Sequence, residues 1–333
     1  MSEAILKTKV AYIVVSWNNK DLLEECIDSI DSQVTDADKV TYLVDNNSQD
    51  DTIQYVTAAY PDVRIMAQHE NHGFAKGNNI GIREALKDEQ VEYIVLLNTD
   101  ARLDTNWTQV LLDTARTKRN IATIQSVTLD YYDHQVIDST HIYISRIGQG
   151  TQGAWRVPIA SDTDIPSHKV FGCNAAAVII TRKFIEAQPF DDFFDETMFM
   201  YLEDVDVATR ATVMGWDNYV VPNTRAYHMG SVSSKKKDPS FSLYMTFRNN
   251  TGLLVKNLPL GILFRLLVKI PKADLAAIKH LRRTGRKTAI PAVIQGRLKS
   301  LQYIPLFLRK RKKLKPLRVV DEDYLWKLMN RGY

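Results

Sequence analysis

Val10-Ala-Tyr-Ile-Val-Val-Ser-Trp-Asn18 is the stretch on which the fold turns. The apolar run from Val10 to Ser16 describes a strand buried on both faces, the habit of parallel sheets. Its polar end describes a strand that stops where chemistry begins. Working outward, a helical pattern follows, with Leu22, Leu23, Cys26, Ile27 and Ile30 on one face. A second strand, Val40 to Val44, ends in Asp45-Asn46-Asn47-Ser48. Val63 to Ala67 and Val91 to Leu97 are a third and a fourth, with a helix over Ala75 to Leu86 between them. Strands separated by helices of roughly 10–15 residues imply βαβ units. The expected fold is therefore α/β, a doubly wound and mostly parallel sheet flanked by helices. Ligands of such sheets bind beyond the carboxyl ends of the strands. Here those ends carry Ser16-Trp17-Asn18, Asp45-Asn46-Asn47, Asn71-His72-Gly73-Phe74 and Asn98-Thr99-Asp100.

The pattern loosens from Ile121 to Pro166, then returns with a strand over Asn174 to Thr181 and a helix beginning near Glu203. Ser231 to Asp238 is polar and lysine-rich, the composition of a mobile loop, and a helical region broken by Pro259, Pro271, Pro291 and Pro305 follows from Tyr244 to about Arg311. With 333 residues, 45% apolar and 25% charged, the chain has the composition of a folded globular protein and not of a disordered one. Two cysteines, Cys26 and Cys173, exclude a disulfide-stapled scaffold and a four-cysteine zinc site. Met1-Ser2-Glu3-Ala4 runs straight into a strand without the features of a signal peptide, so a cytoplasmic, reducing setting is expected.

Net charge is +4, but it is unevenly spread: Lys256 to Arg318 holds 18 basic residues against one acidic, Asp274. Everything else is acidic in balance, which points the C-terminal region toward an anionic partner. Gly252 to Ile270 is apolar, yet Lys256, Arg265, Lys269 and Pro259 interrupt it. A helix lying in a membrane interface fits that composition better than a span, and a solvated helical cap on the body is the other reading. The expected organisation is a body over residues 1–240, with a donor half at about 1–105 and an acceptor half at about 106–240. A basic amphipathic helical region over 241–333 completes it.

Taken in order, Val14-Val-Ser-Trp-Asn18, Val44-Asp-Asn-Asn-Ser48, Asn71-His-Gly-Phe-Ala-Lys-Gly-Asn78, Leu96-Leu-Asn-Thr-Asp100 and Glu203-Asp204 resemble a family 2 glycosyltransferase. More narrowly, they resemble the rhamnosyltransferase-like branch that builds bacterial surface polysaccharides. The resemblance spans about residues 8–250. It implies a GT-A fold, a nucleotide-sugar donor, a divalent metal (Mg²⁺ or Mn²⁺) and inversion at the anomeric carbon.

Read as chemistry, Asp45 can accept a hydrogen bond from the N3–H of a pyrimidine base, which is the role its match in the family has, and an Asx turn or helix cap is the plainer reading. Ser16 and Trp17 would lie beside the same base, more through backbone than side chain, and Asn18 is a further candidate for the nucleotide or donor. Asn71, Gly73 and Asn78 sit at a strand-to-helix junction that lacks both the Walker ending and a Gly-x-Gly-x-x-Gly fingerprint. The resemblance puts them on the donor sugar and diphosphate, and a structural turn would also use them. Asn98-Thr99-Asp100 occupies the place of the family's Asp-x-Asp metal motif with its first carboxylate replaced, which leaves Asp100 as the main ligand. His228 resembles the late histidine that completes the metal or diphosphate site, although a lone histidine at a strand end is often structural.

Glu203 and Asp204 start a helix, and neighbouring helical positions do not share a face, so the two carboxylates divide their work. The resemblance makes Asp204 the general base and Glu203 an orienting group; acids favoured at a helix N-terminus are the alternative. Arg248 either reaches phosphate or ties the helical region to the body. The aromatic residues from Phe190 to Tyr201 read mostly as core. Together these features imply transfer of a sugar, L-rhamnose from dTDP-rhamnose, onto a lipid-linked or growing glycan at the inner face of a cell membrane. A UDP-hexose or UDP-galactofuranose transferase is the alternative within the class, and a noncatalytic nucleotide- or polyanion-binding scaffold is the alternative outside it. The implied partners are donor, lipid-linked acceptor and anionic membrane, without nucleic acid, and a homo-oligomer is left open.

Overall fold

A computed structural model describes residues 7–159, 167–230 and 239–329. The lysine-rich loop expected at Ser231 to Asp238 lies outside the described residues. The elements run β1 (Lys9–Ser16), α1 (Lys20–Asp31), β2 (Asp38–Asp45), α2 (Thr52–Ala59), β3 (Arg64–Ala67), α3 (Gly73–Ala85), β4 (Val91–Leu97) and β5 (Ala101–Leu103). Next come α4 (Trp107–Thr117), β6 (Ile121–Asp130), β7 (Ile137–Ser139), β8 (His141–Ile144), β9 (Gly150–Gly153), β10 (His168–Val170), β11 (Ala177–Thr181), α5 (Arg182–Glu186), α6 (Glu203–Val213) and β12 (Asp217–His228). The C-terminal region is helical throughout: α7 (Pro239–Asn257), α8 (Leu260–Leu266), α9 (Lys269–Arg283), α10 (Ile290–Gln302), α11 (Ile304–Leu314) and α12 (Glu322–Leu328).

The main path of the sheet is β10-β12-β6-β11-β4-β1-β2-β3. β1 pairs in parallel with β2 and β4, and β2 in parallel with β3, so the carboxyl ends of all four meet at one edge. β11 runs antiparallel to β4, which brings the residues just before it to that same edge, where Asn98 N–H donates to the Ala176 carbonyl at 2.9 Å. The sheet is the expected mixed and mostly parallel one, with helices on both faces.

One face packs Leu23, Ile27, Trp107 and Leu111 of α1 and α4 against the inward residues of β1 and β4. The other packs α3, α5 and α6 through Ala75, Ile82, Phe184, Val207 and Ala211. α3 lies close on the sheet because it carries glycine where it crosses β1. A Cβ on Gly81 would stand 2.5 Å from Ile13, and one on Gly77 would stand 2.8 Å from Val15. The glycines of the Asn71–Asn78 motif are thus explained partly by helix-on-strand packing.

The C-terminal helices are not a loose tail. Leu253, Leu254, Leu258, Ile262, Leu266, Leu314 and Leu325 share a core with Ile142, Phe171, Met198 and Val205. Lys256 is 1% exposed and reaches Asp195 at 2.7 Å and Asp206 at 2.8 Å, joining α7 to the body by buried charge. No helix among the described residues is long and apolar enough to cross a membrane.

Candidate active site

A cavity of about 540 Å³ opens at the carboxyl edge of the sheet. Ser16, Asn46, Asn71, Gly73, Asn98 and Asp100 line its first side, contributed by the βαβ units. Its second side is made by Gly150 to Gln152 of the β8–β9 hairpin, Asn174 to Ala176, Phe199 to Val205, and Thr246 of α7. Four polar strand ends therefore meet one catalytic candidate, Asp204, across an open space.

On the first side, the turn after β2 is self-supporting: the Ser48 N–H donates to Asp45 Oδ2 at 3.0 Å, and Asn46 Nδ2 donates to the Gly73 carbonyl at 3.0 Å. The other oxygens, Asp45 Oδ1 and Asn46 Oδ1, and the Ser16 hydroxyl are buried with no hydrogen-bond partner among the described residues. A buried polar atom left so costs roughly 1–3 kcal/mol, and three of them at neighbouring strand ends mark a place built for a polar ligand. Asp45 itself is 1% exposed and sits off the cavity wall, whereas Ser16 and Asn46 are on it.

Three residues expected at the donor are placed otherwise. Asn18 is exposed and off the cavity wall, because its side chain accepts from Gln49 N–H at 2.7 Å while its own N–H donates to Ser48 Oγ, clipping the β1 and β2 ends together. Asn78 is buried inside α3 and donates to the Phe74 carbonyl at 2.9 Å. Arg248 Nη2 donates to the carbonyls of Thr197 and Met198, both at 2.8 Å, which makes it a tie between α7 and the body, off the cavity wall. Asn71 does line the cavity, with its Oδ1 accepting from Gly73 N–H at 2.8 Å. The N-terminus of α3 is partly used as well, since Ala75 N–H donates to the Phe199 carbonyl.

β12 returns antiparallel to β5 and pairs His228 with Ala101, so the late histidine arrives beside Asp100. His228 Nε2 lies 3.3 Å from Asp100 Oδ1, and its Nδ1 lies 2.9 Å from Asp138 Oδ2. Burial alone would lower the imidazole's pKa, but the two carboxylates outweigh it and raise it to about 10. Asp138, at β7, went unforeseen: it is 90 residues from its partner, and no local pattern marks it. A carboxylate that fixes one ring nitrogen so that the other can bind a cation is a common arrangement at metal-binding histidines. Among the described residues no group of three or more His, Cys, Asp or Glu side chains is gathered as a metal site.

At the start of α6, Glu203 is 7% exposed, and its Oε2 is buried without a partner among the described residues. Burial, reinforced by the Asp204 charge, raises its pKa well above the ordinary carboxyl range. Asp204 is pushed up less, to about 6, by burial that hydrogen bonds from the Val205 and Ala175 backbone offset. Burial thus raises both adjacent carboxyls, and the charge of its neighbour adds to the rise at Glu203.

The loop before α6 holds a feature that sequence reading missed. Phe199, Tyr201 and Leu202 have φ of 62°, 70° and 70°. Each left-handed, non-glycine residue costs on the order of 1–3 kcal/mol. Phe199 also fills the space above Gly73, where a Cβ would meet its ring and carbonyl at 2.6 Å.

The family model "Glycosyl transferase family 2" matches residues 12–180, about half of the chain. An N-acetylglucosaminyl-diphospho-decaprenol L-rhamnosyltransferase of Mycobacterium tuberculosis is 25% identical over 247 residues, covering 69% of this chain and 79% of the relative. Among solved structures, GalNAc-T7 with UDP, GalNAc and Mn²⁺ aligns with a TM-score of 0.57 at 14% identity, over 76% of this chain; the alignment spans 48% of that protein's length. The mannosyltransferase PcManGT of Pyrobaculum calidifontis, in complex with GDP-Man and Mn²⁺, aligns over 94% of this chain and 86% of its own, with a TM-score of 0.52 and 17% identity. These structural likenesses give the fold, the GT-A type.

Proposed function

The chain belongs to glycosyl transferase family 2 and is a glycosyltransferase, and from that premise we propose that it is an inverting enzyme with Asp204 as its general base. One observation carries the reading: Asp204 shares one cavity with Asp100 and His228, whose other ring nitrogen is held by Asp138. In the proposed step an acceptor hydroxyl oxygen forms a bond to the anomeric carbon while the bond from that carbon to the donor's diphosphate breaks. The hydroxyl proton passes to Asp204, and the nucleoside diphosphate leaves with the bonding pair. Glu203, beside the base at the start of α6, would orient the acceptor.

A divalent cation, Mg²⁺ or Mn²⁺, fits the donor set of Asp100 and His228 once the imidazole has given up its second proton. It would take its remaining ligands from phosphate oxygens and water and would supply charge stabilisation to the diphosphate. The unpartnered oxygens of Asn46 and Ser16 on the cavity wall suit the N–H groups of a nucleotide base, and Asp45 Oδ1, buried beside them, would have to be uncovered to accept from N3–H.

For the donor, the reading is dTDP-rhamnose, and for the acceptor a polyprenyl-diphosphate-linked sugar at the inner face of a membrane; the name of the mycobacterial relative supports the rhamnosyl group and the diphosphate-linked lipid acceptor. Asp45 does not separate thymine from uracil, because both present N3–H. Nucleotide release from a panel of dTDP-, UDP- and GDP-sugars, with and without Mn²⁺, tests this. Release from dTDP-rhamnose is expected. Turnover of UDP-sugars alone would replace the rhamnosyl donor with a UDP-sugar such as UDP-galactofuranose, and binding without any turnover would favour a noncatalytic scaffold.

A further inference from the structure

We propose that α7 acts as a clamp on the loop that presents the base, and that Asn249 is a positioning residue for Asp204. The inference rests on Asp204 being the base. The segment from Asp195 to Asp206 passes through a short helical turn, Glu196–Met198, then through the loop Phe199–Leu202, and enters α6 with Glu203 and Asp204. Three of the four loop residues stand in left-handed conformations without being glycine. A backbone so held persists only where its surroundings over-determine it, and here α7 adds three hydrogen-bond contacts to the hold that α3 has on Phe199.

Asn249 is 2% exposed. Its Nδ2 lies 2.8 Å from the Met198 carbonyl, 2.9 Å from that of Met200 and 2.8 Å from that of Tyr201. Its Oδ1 accepts from Arg248 Nε at 3.0 Å, which orients the amide so that its NH₂ faces the loop. Arg248 itself holds the carbonyls of Thr197 and Met198. Seven residues on, two turns along the same face of α7, Lys256 grips both ends of the segment. Its Nζ reaches Asp195, whose other oxygen accepts from Thr197 N–H, and Asp206 in the first turn of α6. The middle of the catalytic segment is thus pinned by Asn249 and its two ends by Lys256, all from a single rigid element. Asn249 and Arg248 donate to backbone carbonyls that any loop sequence would offer, so these contacts fix the path of the chain, while Lys256 requires the carboxylates of Asp195 and Asp206.

The test compares Asn249→Ala and Asn249→Gln with Phe247→Ala in the full-length protein. Phe247 is buried on α7 among Leu281, Ala289 and Val293 of the C-terminal helices, so its variant loosens the same helix on another side. Hydrogen exchange of residues 199–206 is read by mass spectrometry, and kcat and donor KM are read separately. Asn249→Ala is expected to speed exchange of 199–206 by about tenfold over Phe247→Ala. It is also expected to lower kcat by about 10²-fold, the scale of a small misplacement of a reacting group, with donor KM unchanged. Asn249→Gln, which keeps an NH₂ donor, should recover part of both. Exchange no faster than in Phe247→Ala, or a kcat loss no larger than the loss of folded protein, would overturn the clamp. Normal transfer by Asp204→Asn would instead overturn the base assignment and with it the catalytic half of the inference, while the exchange result would still decide whether α7 holds the loop.

Discussion

At the scale of single residues, the site depends on carboxylates made unequal by their surroundings. Glu203 and Asp204 are chemically alike and adjacent, but Glu203 is the more deeply buried and feels its neighbour's charge, and both effects raise its pKa. Asp204→Asn is therefore expected to bind donor normally and to lose transfer by about 10²–10⁴-fold, the usual worth of a general base. The pH dependence has a definite sign. A base works only unprotonated, so kcat/KM should be held above the Asp204 pKa of about 6 and fall as pH drops through it; a pH–rate profile checks this. Across the cavity, Asp100→Ala should abolish the Mn²⁺ dependence of donor binding. Asp138→Asn, which leaves every candidate ligand in place but removes the carboxylate behind His228, should weaken metal affinity by about 10–100-fold. Calorimetric titration of donor with and without Mn²⁺ distinguishes the two, and unchanged metal affinity in Asp138→Asn would reduce Asp138 to a packing role.

At the scale of elements, what was legible in the sequence was where strands stop. Apolar runs ending in Asn, Asp and Ser gave β1, β2 and β4 and the edge at which they gather, because a buried strand and a polar terminus each leave a local pattern. What was not legible was whether a polar side chain is already engaged. Asn18, Asn78 and Arg248 have suitable chemistry, but neighbouring backbone groups use their polar atoms, and residue type carries no trace of that. Asp138 and the three left-handed residues were hidden for a related reason: each is defined by a distant partner, His228 in one case and α7 in the other. The same holds for Lys256, counted in the sequence as one more tail cation and found between Asp195 and Asp206. Lys256→Met, similar in length but uncharged, should cost about 3–5 kcal/mol of stability, as breaking a buried pair does. Burial would raise the Asp195 pKa, yet Lys256 and Lys310 outweigh it and hold it well below the usual carboxylate range. A depressed carboxyl stabilises the fold above its unfolded pKa, about 4, and loses that effect as pH falls through its folded value. The deficit of Lys256→Met in urea titrations should therefore be constant from about pH 5 to 8 and shrink only in acid; a deficit that instead grew in acid would place the charge balance elsewhere.

At the scale of the whole molecule, the folded structure redistributes the basic C-terminal charge. Of the 18 basic residues from Lys256 to Arg318, at least six have partners within the chain: Lys256 and Lys310 on Asp195, Arg297 on Asp274, Arg265 on Asp323, and Arg311 and Arg318 on backbone carbonyls. The same helices expose apolar side chains. Leu260, Phe264 and Leu267 recur at helical spacing on α8 and just beyond it, each at least 60% exposed, while Ile262 and Leu266 on the opposite face are buried. Ile294, Leu298 and Leu301 form a similar exposed stripe on α10. Helices that bury one apolar face and expose another, with Arg265, Lys272 and Lys299 exposed beside them, suit the interface of an anionic leaflet, where a lipid-linked acceptor would be held. Each basic residue adds about 1 kcal/mol of attraction, which salt screens. The expected outcome is that the protein pellets with phosphatidylglycerol-containing vesicles but not with neutral phosphatidylcholine ones, and is released by high salt. Truncating the helices would not test this, because Leu253, Lys256 and Leu314 belong to the core. The sharper variant is Phe264→Ser with Leu267→Ser, which changes only exposed side chains and should lose pelleting while keeping its melting temperature and its turnover of a soluble acceptor analogue. Pelleting undiminished in that variant would mean the stripe on α8 does not touch lipid, and equal binding to neutral vesicles would mean that charge does not select the surface.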